Sequence, residues 1–190
     1  MNYDKLDNDE LLRLSLDAIN GDRDADAVVL LKTLLERDPR HVYGQYLLAA
    51  QHAQLGMMDR AEAGFRAVVA QAPEFPIARF QLAQLLLTQA RPEEAKQHLA
   101  TLTPLPEGQA LGAYARALAA AADDDAAEAA RQLRAGLGWP QEIPALAMDM
   151  QRLLGNLEAA VAGQEAVGGI PAAASAHVAP LFLTSYGRDG

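Results

Sequence analysis

The sequence predicts an all-α fold: an α-solenoid of about four stacked helix pairs, with further helices towards the C-terminus. Two observations favour this class. Of the 190 residues, 51% are hydrophobic but only 5% are aromatic, so most apolar residues are alanine and leucine, which are good helix formers. In addition, an alanine, a large apolar residue and a proline, as in Ala61, Phe65 and Pro73, recur at an interval of 34 residues. Period-two alternation is hard to find, so a β-sheet is not expected.

The repeats fit a 34-residue frame that starts at Asn8 and restarts at Val42, Pro76 and Ala110. We therefore assign residues 1–141 to four repeats. These lie at approximately 8–41, 42–75, 76–109 and 110–143. Each repeat is expected to contain two helices. Several repeats must stack, because a single helix pair cannot bury its apolar face alone.

Four positions of the frame carry the same kind of residue in successive repeats. Small residues at positions 8 and 20 would let two antiparallel helices approach closely; they are Ser15, Ala49, Ala83 and Ala117, and Ala27, Ala61, Ala95 and Ala129. A large apolar residue at position 24 would fill the space next to the following pair; this column is Leu31, Phe65, Leu99 and Leu133. A proline near position 32 would end the second helix, because it lacks the N–H and clashes with the preceding turn. These prolines are Pro39, Pro73, Pro106 and Pro140.

Polar turn residues separate the two helices of each predicted pair. They lie at 20–26, 55–60, 90–94 and 122–125. Pro92 suits the first turn of the helix that follows it. Asp123, Asp124 and Asp125 are candidate N-caps of the next second helix, because a short acidic side chain can accept from the free N–H groups there.

These columns resemble the signature of the tetratricopeptide repeat, which has a small residue at position 8, alanine at 20, a large apolar or aromatic residue at 24 and proline at 32. The resemblance covers about Asn8 to Gln141 and departs in two places. Gly136 stands where alanine is usual, and position 4, often tryptophan in the family, is occupied by Leu11, Gln45, Arg79 and Ala113. The resemblance implies a right-handed α-solenoid whose first helices line a concave, protein-binding face. A plain bundle of Ala/Leu-rich helices is the alternative.

The resemblance also implies which residues face that surface, since positions 2, 5, 9 and 12 of each repeat usually do. We expect a protein-binding groove formed by Leu12, Leu16, Tyr43, Tyr46, Ala50, Ile77, Phe80, Gln84, Leu87, Leu111, Tyr114 and Leu118. This stripe is apolar and rich in tyrosine, which is enriched at protein interfaces. No lysine, arginine or asparagine stands at positions 5 and 9, so the clamp that some family members use for a peptide carboxylate is not expected. The alternative is that these side chains pack between helices.

The frame persists only loosely after Gln141. We expect a degenerate helix pair and a capping helix over 142–178, with the turn of the pair at Gly155–Asn156. Residues 179–190 are expected to form an apolar C-terminal tail. The apolar segment 178–186, which includes the start of this tail, would either cap the last helix pair or lie in the groove.

Composition argues against several classes of function. The net charge is −9, whereas nucleic acids and anionic lipids require a basic surface. Without cysteine there are no disulfides, zinc thiolate sites or thiol catalysis. The N-terminus lacks the pattern of a signal peptide, and no window contains the ~20 apolar residues of a membrane span. We therefore expect a cytoplasmic protein. The high alanine content and the preference for arginine over lysine are typical of GC-rich bacterial coding sequences.

One acidic segment begins like a calcium loop, with Asp22, Asp24 and Asp26 at alternate positions. It lacks the glycine and the bidentate glutamate that such a loop requires, because Ala27 and Thr33 occupy those places. These acids are therefore expected to cap a helix.

No catalytic, cofactor or metal site is predicted. The four histidines are not spaced as metal ligands. His52 is expected to be a satisfied core histidine and His41 an exposed linker residue. Neither a glycine-rich phosphate loop nor a nucleophile elbow is present, so we predict that the chain is not an enzyme.

The leading functional hypothesis is an adaptor or chaperone that binds an apolar segment of another protein in the groove. The alternative is a self-associating solenoid, a homo-oligomer whose interface is the groove or the tail. No nucleic-acid or membrane partner is expected.

Overall fold

The computed structural model describes residues 5–166, with side chains up to Ala159. Within this range the chain forms nine α-helices and no strand, so the all-α class is confirmed. The helices are α1 Asn8–Asn20, α2 Asp24–Arg37, α3 Val42–Gln54, α4 Met58–Gln71, α5 Pro76–Thr88, α6 Pro92–Leu99, α7 Ala110–Ala122, α8 Ala126–Leu137 and α9 Pro144–Ala166. The first helix of each predicted repeat begins at the residue where the frame starts.

The chain divides into two compact units. Unit 1 runs to Gln81 and unit 2 begins at Leu82, so the boundary falls inside α5. Within unit 1, α2 packs against both α1 and α3, and α3 packs against α4. Within unit 2, α7 packs against α6 and α8, and α8 packs against α9. Packing between helices that are neighbours in sequence is the arrangement expected for stacked helix pairs.

The repeat columns form the core. All four residues of position 24 are fully buried, and the small residues of positions 8 and 20 are at most 1% exposed. The close approach that these small residues allow is visible between α3 and α4. A Cβ built on Gly64 would lie 2.8 Å from the Cβ of Ala49, which leaves no room for a larger side chain at either position. At Ala49, in the position 8 column, the structure thus shows the close approach that a small residue allows.

Helix boundaries follow local sequence signals. Asp7 caps α1 in a capping box: its carboxylate accepts from the N–H of Glu10 at 2.8 Å, and its own N–H donates to the Glu10 carboxylate. Asp125 caps α8 by accepting from the N–H of Glu128, as predicted for the acidic triplet. Pro92 is the first residue of α6. α6 has only eight residues, since turns that lead to Pro104 follow Leu99.

The turn inside every pair places one residue in the left-handed region, always at position 15 of the frame. These residues are Asp22, Gly56, Ala90 and Asp124, with φ between 56° and 72°. Glycine adopts this conformation without strain and aspartate tolerates it, but in alanine the Cβ lies too close to a carbonyl oxygen of the backbone. Ala90 is therefore the least favourable residue of this column.

Replacing Ala90 with glycine is expected to raise the free energy of unfolding by about 0.5–1 kcal/mol, because the strain of φ +56° is relieved. Urea titration followed by circular dichroism would measure this. Gln89→Gly, at the neighbouring residue, is the control and should destabilise. A loss of stability in Ala90→Gly would contradict the argument.

The structure corrects the expectation for the segment after the fourth repeat. α9 is one continuous helix through Gly155 and Asn156, where a turn between two helices was expected. Leu146, Met150, Leu153, Leu154 and Leu157 are all buried, and this i, i+4, i+7 spacing continues across the glycine. Packing of the apolar face thus outweighs the turn preference of the two residues. The expected capping helix and the tail 179–190 lie outside the described residues.

Candidate protein-docking surface

The N-terminal turn of α3 is positioned by a histidine and by two side-chain contacts to the preceding loop. His41 is the N-cap, and its Nδ1 accepts from the N–H of Gly44 at 3.0 Å. Gln45 Nε2 donates to the carbonyl of Pro39, and Gln71 of α4 donates to the carbonyl of Arg40, both at 2.6 Å. The loop between α2 and α3 is therefore held by side chains from α3 and α4. His41 is half-buried and forms a cap, in contrast to the exposed linker residue that was expected.

Three aromatic side chains meet at this end of α3, and we call them the aromatic cluster: Tyr43, Tyr46 and Phe75. The two tyrosines are one turn apart and their rings are stacked, with centroids 6.0 Å apart and planes inclined by 16°. The ring of Phe75, from the loop between α4 and α5, is nearly perpendicular to both, with its centroid 6.4 Å from that of Tyr43 and 5.3 Å from that of Tyr46. Edge-to-face and offset-stacked pairs of this kind are favourable, so the cluster is internally ordered.

The aromatic cluster packs against the core on one side and is partly exposed on the other. Phe65 of α4 is fully buried and lies 6.1 Å from the ring of Tyr46. Tyr43 is 39% exposed, and Tyr46 and Phe75 are half-buried. A large aromatic side chain that remains partly exposed while its neighbours are fixed is typical of an interface anchor.

Some residues of the predicted groove are accessible. Leu12 and Leu16 on α1 and Ala50 on α3 are half-buried, as is Leu111 on α7. In the repeat frame, Leu12 and Leu16 occupy the same positions on α1 as Tyr46 and Ala50 occupy on α3. We define the docking surface as the aromatic cluster together with Leu12, Leu16 and Ala50, all of which belong to unit 1.

The remaining six predicted groove residues are buried and do not offer an exposed surface. They are Ile77, Phe80, Gln84, Leu87, Tyr114 and Leu118, with at most 6% exposure each. On α5 the reason is composition: apolar residues occupy every side of the helix, and all six residues from Leu82 to Leu87 are buried. For these positions the alternative of packing between helices is correct.

Tyr114 is a predicted groove residue whose side chain is instead part of the core. Its ring lies over Gly136 of α8, and its hydroxyl donates to Oε1 of Gln141 at 2.7 Å. Burial raises the pKa of the Tyr114 phenol, and the hydrogen bond with Gln141 acts in the opposite direction. The phenol is thus a neutral donor satisfied within unit 2.

Sequence reasoning missed Phe75. It stands outside the four positions that usually face the groove, in the loop just before the frame restarts at Pro76. Its distance from both tyrosines depends on how the loop folds back onto α3, which repeat positions do not encode. The available signal was an aromatic residue placed between two prolines, Pro73 and Pro76.

A second concavity, in unit 2, has a volume of about 360 Å³ and is lined in part by Arg116, Arg131 and Trp139. Its cations are already engaged. Arg116 donates to Oε1 of Gln132 and to the backbone carbonyls of Thr103 and Leu105. Arg131 forms two hydrogen bonds with the carboxylate of Glu128. Arg116 therefore ties the α6–α7 loop to α8, whereas Arg131 is paired with a carboxylate of its own helix.

In the part of the chain that the structure describes, no group of three or more histidine or acidic side chains could hold a metal ion. Among the same residues, no helix has both the length and the apolar character needed to cross a membrane.

Comparison with known proteins agrees with the repeat pattern. Two solved structures are similar to this chain. The first is a MamA RS-1 ArsTM double mutant, which is 15% identical, with a TM-score of 0.58; the alignment covers 94% of this chain and 93% of the other. The second is MamA from residue 41 to its end, from Desulfovibrio magneticus RS-1, which is 16% identical, with a TM-score of 0.59; the alignment covers 94% of this chain and 92% of the other. At these identities the similarity concerns the fold alone. No curated protein matches the sequence. A tetratricopeptide-repeat family model matches residues 53–108 of the chain.

Proposed function

We propose that this chain is a protein-interaction module, an adaptor or chaperone, that binds an apolar segment of another protein on the docking surface of unit 1. Tetratricopeptide repeats support a role in protein interaction or self-assembly. The observation that carries the proposal is the aromatic cluster. The side chain of Tyr43 remains exposed, with 39% of the residue's surface accessible. Its neighbour Tyr46 is packed against Phe75 and the buried Phe65.

The chemistry of the surface indicates the kind of ligand. α3 carries no Asp, Glu, Lys or Arg, and its partly exposed residues Tyr43, Tyr46 and Ala50 offer mainly apolar area. An amphipathic helix or an extended apolar strand, with large side chains against the rings, is the segment that such a surface would recognise. An adaptor and a chaperone would both bind the segment in this way and differ in the fate of the bound protein.

Binding is testable with a defined probe. Peptides of about 15 residues displayed on phage are selected on the full chain at pH 7.5, and the dissociation constant of a synthetic winner is measured by fluorescence anisotropy. We expect apolar sequences to be selected. Tyr43→Ser and Leu16→Ser should each weaken binding at least about tenfold, because central aromatic and large apolar anchors carry most of the energy of an interface.

The matched control is Val29→Ser. Val29 is 49% exposed on α2, outside the docking surface, so binding should not change. Circular dichroism checks that the helical content of each variant is kept. Failure to select any peptide, or binding that is indifferent to both Tyr43→Ser and Leu16→Ser, would refute the proposal. A wild-type dimer that Tyr43→Ser converts to a monomer, seen by sedimentation velocity without peptide binding, would identify the surface as a self-association interface.

A further inference from the structure

The concavity of about 360 Å³ in unit 2 is lined by charged and aromatic side chains from separate elements. Glu107 lies in the loop between α6 and α7, and Arg116 lies on α7. Arg131 belongs to α8, and Trp139 lies in the segment that follows α8. None of the four stands at a position of the repeat that is expected to face the groove. The concavity therefore shares no residue with the docking surface.

The guanidinium of Arg116 is half-buried and is held by neutral acceptors. Its Nε donates to Oε1 of Gln132 at 3.0 Å, and its Nη1 donates to the carbonyl of Thr103 at 2.9 Å and more weakly to that of Leu105 at 3.5 Å. Among the described residues, Nη2 has no acceptor and no carboxylate forms an ion pair with Arg116. The side chain is therefore fixed in place while its positive charge has no direct counter-charge.

Arg131 contributes less charge to the concavity, because it already has an acidic partner. Its Nε and Nη2 both donate to the carboxylate of Glu128 at 2.6 Å, and its side chain is 71% exposed. Hydrogen bonds from Gln132 and then Arg131 are the main causes that lower the pKa of Glu128, and the charge of Arg116 is the smallest contribution. Glu128 thus neutralises chiefly Arg131 and leaves the charge of Arg116 largely uncompensated.

Trp139 supplies an apolar wall to the same concavity, next to Ala135. The residue is half-buried and its backbone is held on both sides: its N–H donates to the carbonyl of Gly136 at 3.2 Å, and its carbonyl accepts from Nε2 of Gln141 at 2.6 Å. An indole offers a large flat apolar surface at a fixed place. An uncompensated guanidinium near such a surface is suited to a carboxylate joined to an apolar group.

We propose that this concavity is a binding site for a small organic carboxylate that carries an apolar group. The carboxylate accepts from Nη2 of Arg116, and the apolar group packs against Trp139. Because Gln132 and the carbonyl of Thr103 already fix the guanidinium, binding has little left to order. The volume is near the lower end for ligand sites, which span about 300–1,000 Å³, so the ligand is small. The inference does not depend on the proposed function of unit 1.

Glu107 provides a test of the sign of the ligand's charge. The residue is exposed and lines the same concavity. Its negative charge repels an incoming carboxylate, but only weakly, since water and salt screen an exposed charge. Removing the charge of Glu107 and removing that of Arg116 should therefore change the affinity in opposite directions. A ligand held by apolar contact alone responds to neither change.

The test titrates the full chain with phenylacetate at pH 7.5 and reads the emission of Trp139, the single tryptophan of the chain. Phenylacetamide has nearly the same shape but no charge, and it is the matched probe. We expect saturable binding of phenylacetate below about 10 mM, the weak affinity usual for about ten non-hydrogen atoms. Phenylacetamide should bind at least about tenfold more weakly, because it lacks the charge-assisted hydrogen bond. Isothermal titration calorimetry repeats the comparison without relying on the indole.

Three substitutions separate the charges. Arg116→Gln should weaken the binding of phenylacetate at least about tenfold. Glu107→Gln should strengthen it about twofold to fivefold. Arg152→Gln is the matched control, since it removes an equal charge from α9, where Arg152 pairs with Asp149 outside the concavity. Its dissociation constant should stay within about twofold of the wild-type value.

N-acetylglycylphenylalanine distinguishes two sources of the carboxylate. Tighter binding than that of phenylacetate indicates the C-terminus of a peptide, and weaker or equal binding indicates a free acid. Equal affinity of the wild-type chain for phenylacetate and phenylacetamide, or no saturable binding of phenylacetate by either method, would overturn the inference. So would full affinity in Arg116→Gln. If Arg116→Gln does not fold, the comparison of the two probes on the wild-type chain decides.

Discussion

Phe65→Ala is expected to lower the free energy of unfolding by about 3–5 kcal/mol, the largest effect among the substitutions considered for unit 1. Phe65 is fully buried at position 24 of the second repeat, where its side chain fills the space beside α3. Its removal costs the transfer free energy of the ring and leaves a cavity. Small-residue packing leaves the helices little freedom to collapse, since Gly64 and Ala49 already hold α3 and α4 at their closest approach.

The same substitution is expected to disturb the docking surface, because the ring of Tyr46 lies 6.1 Å from that of Phe65. A folded domain has only about 5–15 kcal/mol of stability, so the loss is a large fraction of the total. Urea titration monitored by circular dichroism measures it.

Met57→Ala is the control for Phe65→Ala. It removes a large side chain that is 42% exposed at the start of α4, and we expect a change within about 0.5 kcal/mol. A loss below about 1 kcal/mol in Phe65→Ala would show that position 24 does not anchor the packing between these helices.

Gly136→Ala is expected to destabilise unit 2 by about 1 kcal/mol, the net of an overpacking cost of about 2 kcal/mol and the better helix propensity of alanine, about 1 kcal/mol. The added Cβ would lie 2.7 and 2.9 Å from two ring carbons of Tyr114 and 3.0 Å from the Cβ of Ala113. The ring has no room to yield, since Tyr114 is only 1% exposed. Gln141 also fixes it, accepting from the Tyr114 hydroxyl and donating to the carbonyl of Gly136 at 2.8 Å. Overpacking of this kind costs about 1–3 kcal/mol.

A double-mutant cycle isolates this clash. In a Tyr114→Leu background the obstructing ring is absent, so Gly136→Ala should become neutral or stabilising through helix propensity. The coupling free energy between the two sites should then be about 2 kcal/mol, from urea titrations of the four proteins. Additive effects of the two substitutions would contradict the close contact. The departure of Gly136 from the usual alanine of the repeat is therefore explained by its partner Tyr114.

The repeat register was predictable because it is written in small local signals. A proline ends a helix by removing an N–H, and an alanine at a crossing point permits close approach, whatever the rest of the chain does. The helices accordingly start at Asn8, Val42, Pro76 and Ala110 as the frame required. The left-handed residue at position 15 could have been predicted in the same way, because Gly56 is typical of a positive φ. Ala90, at the same position of the third repeat, gives no such indication.

The candidate site was only partly predictable. Positions 2, 5 and 9 of the second repeat led to Tyr43, Tyr46 and Ala50, which are accessible. The same positions in the third and fourth repeats led to Phe80 and Tyr114, which are buried. A residue's place in the frame sets the side of the helix on which it lies, but it does not set what covers that side.

The sequence alone determined the four helix pairs of the repeats, their order and the buried residues of positions 8, 20 and 24, because these depend on spacing and on the size of single side chains. Only the tertiary structure decided which apolar residues remain accessible. Exposure depends on the neighbours that distant parts of the chain supply, such as the ring of Phe75 against α3 and the ring of Tyr114 against Gly136. Such neighbours follow from the packing of whole elements and leave no periodic trace in the sequence.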